Sequence, residues 1–144
     1  MLYPKFDEIK DEIVHLLDDY LIKYHPQYRV KVTETFRTAA YQNRLWRQGR
    51  TAPGEKVTNC DGYIKRSNHQ SSLAFDIAFS VGSKLVWDVP QEIWDYYGHL
   101  IRKHGMVWGG DWKSFKDLPH CEWPTTDKDT YIKAREWQTK VGLR

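Results

Sequence analysis

The sequence predicts an α+β fold in which a small antiparallel sheet packs with helices. Apolar residues recur with helical spacing near both ends of the chain and in its middle. Between these segments, short stretches of alternating apolar and polar residues come in hairpin-like groups, without the regular βαβ order of a parallel sheet. The chain has 144 residues, about the length of one domain, so we predict a single domain over 1–144.

Four segments have the apolar spacing of amphipathic helices. They cover approximately residues 3–24, 39–48, 90–105 and 127–140. Pro26 prevents the first helix from continuing, because proline lacks the N–H that a helix needs. Thr38 is a suitable N-cap for the second helix, and Gly49 is a suitable residue to end it.

The strand signals are shorter. They cover approximately residues 30–36, 73–79, 84–87, 106–108 and 120–123. In the second of these, Asp76 alternates with Ala74 and Ala78, so its carboxylate lies on a small-residue face with room beside it. Residues 50–72 show no sustained period, and a loop of this length in a small domain is often functional.

The charge and hydropathy of the chain limit its partners. A net charge of +3 and a pI near 8.8 are mild, and the basic residues are spread along the chain. This suits an acidic polymer or simply a slightly basic surface, and we expect no nucleic-acid partner. No run approaches the ~18 apolar residues of a membrane span, so we expect no stable membrane insertion.

The start of the chain and its cysteines indicate the compartment. MLYPKFDEIKDEIV mixes acidic residues into its apolar positions, unlike a signal peptide, so we expect synthesis in the cytoplasm. Cys60 and Cys121 allow at most one bridge, and two unpaired thiols in a reduced compartment are the expected state.

Two short stretches carry candidate chemistry. SNHQSSLAFD contains His69 and Asp76, and DLPH contains Asp117 and His120. Two neutral imidazoles and a carboxylate suit zinc and leave a fourth position for water, as in catalytic sites. The proton of that water needs a base, and Asp117 or Glu122 is close enough in sequence. The alternative is that these are ordinary hydrogen-bonded residues among the six histidines and that no metal binds.

The pattern S-x-H-x6-D followed by D-x-P-H resembles the zinc peptidases of the D-alanyl-D-alanine carboxypeptidase family. The similarity is greatest to its phage endolysin branch, the L-alanyl-D-glutamate peptidases. Three further stretches agree with the family in order: FRTAAYQNRLWRQGRT, PGEKVTN and WGGDWKSFKDLPHCEW. Together they extend from Phe36 to about Trp123.

The resemblance implies roles for individual residues. It makes His69, Asp76 and His120 the zinc ligands and Asp117 the general base. It also implies that Arg37 orients the substrate and stabilises the developing oxyanion, a role that a fixed guanidinium suits.

Further substrate contacts are expected around these residues. The resemblance places Gln42 and Ser67 near Arg37, and Trp112 belongs to the loop just before the last ligand, where an aromatic ring suits a cleft. The chain departs from the family at Ser72, where glycine is common, so serine would be strained if the position needs a positive φ. It also departs at Cys121, which alternation with His120 places on the opposite, buried face.

The implied function is hydrolysis of peptidoglycan stem peptides, at the bond between L-alanine and D-glutamate, by a monomeric endolysin of the hedgehog and D-Ala-D-Ala peptidase fold type. Such an enzyme waits in the host cytoplasm until a holin releases it to the periplasm and cell wall. A D-alanyl-D-alanine carboxypeptidase or dipeptidase is an alternative with the same ligands and base. A non-catalytic, zinc-stabilised wall-binding domain is another, and Asp117→Ala separates it from a peptidase because only a peptidase loses turnover.

Overall fold

The computed structural model describes residues 1–144 and confirms the α+β class. The helices are α1 (Pro4–Tyr24), α2 (Ala39–Arg47), α3 (Gln91–Lys103) and α4 (Lys128–Lys140). The strands are β1 (Arg29–Glu34), β2 (Ala74–Val81), β3 (Lys84–Val86), β4 (Val107–Trp108) and β5 (His120–Glu122). Every predicted helix and strand is present, with ends that differ from the predicted ones by a few residues at most.

One antiparallel sheet contains all five strands, and β2 lies at its centre. The order is β1-β2-β5-β4, and β3 pairs with the far end of β2. In this register Asp76 lies opposite Glu34 on one neighbour and opposite His120 on the other. Because directly opposite residues face the same side of a sheet, the pairing brings three ionisable side chains into one row.

The hydrophobic core lies between the sheet and the helices α1 and α3. The Phe75 ring lies 5.5 Å from the Phe6 ring of α1, and the Phe79 ring lies 4.9 Å from Trp94 of α3. These odd-numbered side chains of β2 are fully buried, and so is Cys121 of β5, as its alternation with His120 predicts. The even-numbered Asp76 therefore faces away from the helices, toward the cleft described below.

The long loop between α2 and β2 is irregular as predicted, except at its end. There Asn68–Ser71 form one turn of 3-10 helix. The Asn43 side chain donates to the Asp61 carbonyl at 2.9 Å, and the Gln70 side chain donates to the Gly62 carbonyl at 2.9 Å. The loop is thus fastened to α2 on one side and to the 3-10 turn on the other. None of the four helices combines the length and the hydropathy that crossing a bilayer requires.

Candidate metal centre and cleft

His69, Asp76 and His120 come together in one cluster, although they belong to three different elements. One nitrogen or oxygen atom from each side chain lies within 4.8 Å of the corresponding atoms of the other two. Both imidazoles are buried, at 1% and 5% exposure, whereas Asp76 is partly exposed. The cluster is therefore a candidate metal site whose open side is at the carboxylate.

The His69 ring is fixed by the backbone. Ser67 caps the 3-10 turn, and Gln70 completes a capping box, so the turn presents His69 from a defined position. The ring Nδ1 donates a hydrogen bond to the Thr35 carbonyl at 2.8 Å, which leaves the lone pair on Nε2. That Nε2 is buried without a hydrogen-bond partner, 3.4 Å from Asp76 Oδ2.

The His120 ring lies between two carboxylates. Its Nε2 donates to Glu122 Oε1 at 2.7 Å, and its Nδ1 lies 3.1 Å from Asp76 Oδ1. Burial lowers the pKa of His120, but the hydrogen bonds to Asp76 and Glu122 outweigh it and raise the pKa to about 9. Burial raises the pKa of Asp76, but the hydrogen bond from His120 and the proximity of His69 hold it well below its ordinary value.

These side chains fit a divalent metal. The orphaned His69 Nε2 is a buried acceptor that nothing in the protein satisfies, and such groups are rare unless an ion or ligand completes them. Two imidazole nitrogens and one carboxylate oxygen are a donor set that zinc accepts. Because the pKa of His120 is raised, metal binding at Nδ1 has to displace a proton.

Asp117 lies at the edge of the cluster, where a base would be needed. Its Oδ2 is 4.0 Å from His120 Nδ1, and its side chain is 38% exposed. Burial, followed by the negative charge of Asp76, raises the pKa of Asp117. Gly109 allows this position, because a Cβ there would collide with the Asp117 carbonyl oxygen. Glu122, the other candidate base, has both oxygens engaged, since Oε2 accepts from Asn68 at 2.6 Å.

The backbone between Asp117 and His120 is held by side chains from the core. The Trp108 Nε1–H donates to the Leu118 carbonyl at 2.8 Å. The Tyr97 hydroxyl of α3 donates to the Pro119 carbonyl at 2.9 Å, and this carbonyl also accepts from the Ile77 N–H at 3.2 Å. The spacing between Asp117 and His120 therefore depends on buried residues far from both in sequence.

Arg37 reaches the cluster from the end of β1. Its Nη2 donates to Asp76 Oδ2 at 3.2 Å, and its Nη1 donates to the Gln42 side-chain oxygen at 3.1 Å. Gln42 is fully buried, and its amide nitrogen bonds Thr58 and the Cys60 carbonyl. Gln42 thus lies behind Arg37 and orients it, so the structure favours a positioning role over the direct substrate contact expected from the sequence.

A cleft of about 640 Å³ opens over the cluster. Ser67 and Trp112 both line it, as expected, and the Trp112 ring lies 5.1 Å from the His120 ring. Ser67 also uses its hydroxyl to cap the 3-10 turn. The charged side chains of the lining are Glu34, Arg37, Lys65, Arg66, Asp76, Asp117 and Glu122. The cleft therefore combines acidic groups and Arg37 around the cluster with Lys65 and Arg66 on the loop.

Ser72 adopts the left-handed conformation, with φ 59° and ψ 29°. This is the strained geometry that a glycine would adopt freely. The side chain is fully buried, and its hydroxyl accepts a hydrogen bond from Gln138 of α4 at 2.8 Å. The same Gln138 nitrogen donates to the Gln70 carbonyl at 2.9 Å, so α4 supports the turn that carries His69.

Sequence reasoning did not assign the residues that support the cluster. Glu122 was a candidate base, but in the structure it holds the His120 ring. The sequence did contain a signal for this contact, because residues two apart on a strand point to the same face. No sequence pattern indicated Asn68 or Glu34, because their contacts depend on how segments distant in sequence come together.

Comparison with known proteins agrees with the predicted resemblance. Residues 61–123 match the family model described as D-alanyl-D-alanine carboxypeptidase. The peptidoglycan L-alanyl-D-glutamate endopeptidase CwlK of Bacillus subtilis is 37% identical over 101 residues, which are 65% of this chain and 59% of that protein. The chain thus spans less than two thirds of the length of this relative.

A solved structure supports the fold. The crystal structure of the Serratia marcescens L-Ala D-Glu endopeptidase ChiX superposes with a TM-score of 0.58 over 88% of this chain and 84% of that one. The sequence identity is 22%, so this similarity establishes the shared fold.

Proposed function

We propose that the chain is a zinc-dependent peptidoglycan peptidase, because residues 61–123 match the family model described as D-alanyl-D-alanine carboxypeptidase. Its substrate is the stem peptide, and the bond it hydrolyses is the one between L-alanine and D-glutamate. The observation that carries the proposal is the buried His69, Asp76 and His120 cluster with Asp117 at its open edge. The choice of bond follows the name of the Bacillus subtilis relative.

In this proposal His69, Asp76 and His120 hold the metal. His69 offers the unpartnered Nε2, and His120 offers Nδ1 because Nε2 is committed to Glu122. When bound, zinc lowers the pKa of a water molecule and polarises the substrate carbonyl. The two neutral nitrogens and one carboxylate leave the site with a net positive charge, which favours negative charge developing on the substrate.

Asp117 takes the proton from the attacking water and passes it to the leaving amine. The pKa of Asp117 is raised and is therefore closer to neutral pH than that of an ordinary aspartate. This suits a group that first accepts and then donates a proton. Its partial exposure allows substrate and water to reach it.

Arg37 stabilises the oxyanion and orients the peptide. Its side chain is 12% exposed and its guanidinium is fixed by Asp76 and Gln42, so it is already ordered before substrate arrives. A pre-ordered cation in a partly desolvated site favours the transition state without further reorganisation. Ser67 and Trp112 line the same cleft and contact the substrate.

The test is digestion of purified peptidoglycan followed by mass spectrometry of the soluble peptides. We expect peptides that begin at D-glutamate, their loss after chelation, and their return when zinc is restored. Asp117→Asn should lower turnover by about 10²–10⁴-fold with zinc content unchanged. The matched control is Asp111→Asn, an exposed aspartate on the neighbouring turn that pairs with Arg102, and it should retain full turnover.

Other outcomes identify other functions. Release of terminal D-alanine alone would contradict the bond assignment and favour the carboxypeptidase activity that the family model describes. One zinc per chain with no cleavage of any peptidoglycan would contradict the enzyme and leave a wall-binding domain.

We also propose that residues 1–144 act as one monomeric catalytic domain and that the protein is a phage endolysin. The D-L-P-H motif at residues 117–120, with aspartate as the base, supports the second proposal through its similarity to the endolysin branch. The protein then stays in the host cytoplasm until a holin opens the route to the wall. Expression in bacteria with and without a holin tests this, and lysis without the holin would contradict it.

A further inference from the structure

Glu122 joins the two halves of the candidate metal centre. Its Oε1 accepts a hydrogen bond from His120 Nε2 at 2.7 Å, and its Oε2 accepts one from the Asn68 side chain at 2.6 Å. Asn68 is the neighbour of His69 in the 3-10 turn, whereas Glu122 belongs to β5. One carboxylate therefore links the turn that carries one imidazole to the strand that carries the other.

This arrangement is built into the sheet. Glu122 lies two residues after His120, so both side chains point to the same face of β5. The register places Glu122 opposite Ala74, whose small side chain leaves the carboxylate free to turn toward Asn68. The Glu122 side chain is only 12% exposed, so its charge is largely shielded from water and acts strongly on the ring beside it.

The two imidazoles differ in what holds them. His69 donates Nδ1–H to a backbone carbonyl, that of Thr35. His120 donates Nε2–H to a carboxylate, which fixes the ring orientation and also increases the electron density available at Nδ1. The support of His120 is a side chain, so substitution can remove it while leaving the backbone intact.

We propose that Glu122, oriented by Asn68, is a positioning residue that holds His120 with Nδ1 free for the metal. Glu122 binds neither metal nor substrate in this arrangement, because both of its oxygens are already engaged. Removing the Glu122 carboxylate weakens metal binding only indirectly, because His120 is then no longer held in place. The inference rests on the proposed function only in taking zinc as the metal.

The experiment measures the zinc dissociation constant of the metal-free full chain by competition with a chromogenic chelator at one fixed pH. Glu122→Leu removes the acceptor for His120 at similar size, and we expect zinc affinity to fall by about 10–100-fold. Glu122→Gln keeps an oxygen acceptor without the charge, so its loss should be smaller. Asn68→Ala should give the smallest loss, because Glu122 then keeps its bond to His120.

Two further readouts separate positioning from general damage. Thermal unfolding of each metal-free variant should show that Glu122→Gln folds as the wild type does. In the zinc-loaded wild type, ¹H–¹⁵N NMR of the histidine rings should show a hydrogen-bonded, slowly exchanging Nε2–H on His120, a signal that Glu122→Gln retains and Glu122→Leu loses to exchange with water. The matched control is Glu136→Gln, an exposed carboxylate on α4, which should change neither affinity nor the ring signal.

The outcomes distinguish this inference from the proposed function. If the wild type binds zinc and cleaves peptidoglycan but folded Glu122→Leu binds zinc equally well, the positioning role is wrong and the proposed function stands. If the wild type binds no zinc, both are wrong. If the graded losses occur without any cleavage of peptidoglycan, the positioning role stands and the peptidase does not.

Discussion

Residues 67–76 and residues 117–123 each bring part of the candidate metal centre into place, but they are supported differently. The first segment largely supports itself, since Ser67 and Gln70 form a capping box around the turn that carries His69. The second has no such local motif before His120, and its carbonyls are held by Tyr97 and Trp108 from the core. The turn of the first segment therefore forms locally and is then fastened by Thr35 and α4, whereas the second segment owes its conformation to tertiary packing.

This difference indicates how each half responds to change. A substitution in α3 or β4 reaches Asp117 and His120 through hydrogen bonds to the carbonyls of the two residues between them, but these bonds do not extend to His69. A substitution in α4 reaches the 3-10 turn through Gln138, but it does not contact Asp117. Polar side chains join the two halves at Asp76 and at the Asn68 and Glu122 pair, and the pairing of β2 with β5 joins their backbones.

The largest expected effect comes from removing one imidazole from either half. His69→Ala and His120→Ala should each lower zinc affinity by more than the roughly 10–100-fold that loss of a supporting residue causes. Both should abolish turnover, because neither half binds the metal alone. His99→Ala, an exposed histidine of α3, is the matched control and should bind zinc normally in the same chelator competition. Retention of tight zinc binding by either variant would show that the halves do not share a metal.

The next effect tests the dependence of the second half on the core. Tyr97→Phe removes the hydroxyl that donates to the Pro119 carbonyl, and we expect a loss of about 0.5–1.5 kcal/mol in the free energy of unfolding. Turnover should also fall, because Asp117 loses its fixed distance from His120. Denaturant unfolding and peptide release measure the two effects.

Tyr96→Phe is the control for this prediction. Tyr96 is the half-buried neighbour on α3, and its ring stacks on Tyr20 at 4.2 Å without its hydroxyl reaching the cluster. It should change stability and turnover little. If Tyr97→Phe lost stability without any loss of turnover, the hydrogen bond would be structural only.

A smaller effect tests the local support of the first half. Ser72→Ala keeps the left-handed strain and loses the hydrogen bond from Gln138, so we expect it to destabilise the fold by about 1 kcal/mol. Ser72→Gly loses the same bond but relieves strain of roughly 1 kcal/mol, so its stability should be close to that of the wild type. Denaturant unfolding of both variants gives the order, and a glycine variant less stable than the alanine variant would contradict the strain.

The smallest effect concerns pH and the end of the second segment. Asp127 accepts from Trp123 Nε1 at 2.9 Å and from the Thr130 hydroxyl at 2.6 Å at the start of α4. The Thr130 hydrogen bond, then that of Trp123, lowers the pKa of Asp127. A lowered pKa in the folded state stabilises it above the ordinary value of about 3.9, and this stabilisation disappears as pH falls through the lowered value.

Unfolding experiments between pH 7 and pH 2 check this sign. The stability difference between the wild type and Asp127→Asn should be constant near neutral pH and should shrink below about pH 4. Asp129→Asn, an exposed aspartate in the first turn of the same helix, is the control. A difference that grew on acidification would contradict the assignment.

The same contrast explains what the sequence revealed. The helices, the strands and the alternation that turns Asp76 away from the core follow from local periodicity, and the structure confirms them. The sequence also indicated that Ser72 would be strained if its position required a positive φ, and the structure shows that it does. Local patterns thus sufficed wherever a segment determines its own conformation.

Long-range register was not predictable in this way. The row formed by Glu34, Asp76 and His120 depends on how β1 and β5 pair with β2, and a bulge between Val32 and Glu34 shifts that pairing. The burial of Gln42 behind Arg37 and the two bonds of Glu122 also depend on tertiary packing. A motif identifies the chemistry, but its supports come from elsewhere in the chain.

The most direct test of a shared metal centre is anomalous X-ray diffraction at the zinc absorption edge from crystals of the zinc-loaded protein. We expect one zinc per chain, bound by His69 Nε2, an oxygen of Asp76 and His120 Nδ1, with Glu122 still hydrogen-bonded to His120 Nε2. A zinc peak at another position, or no peak between the two segments, would contradict the claim that they meet to form one metal centre.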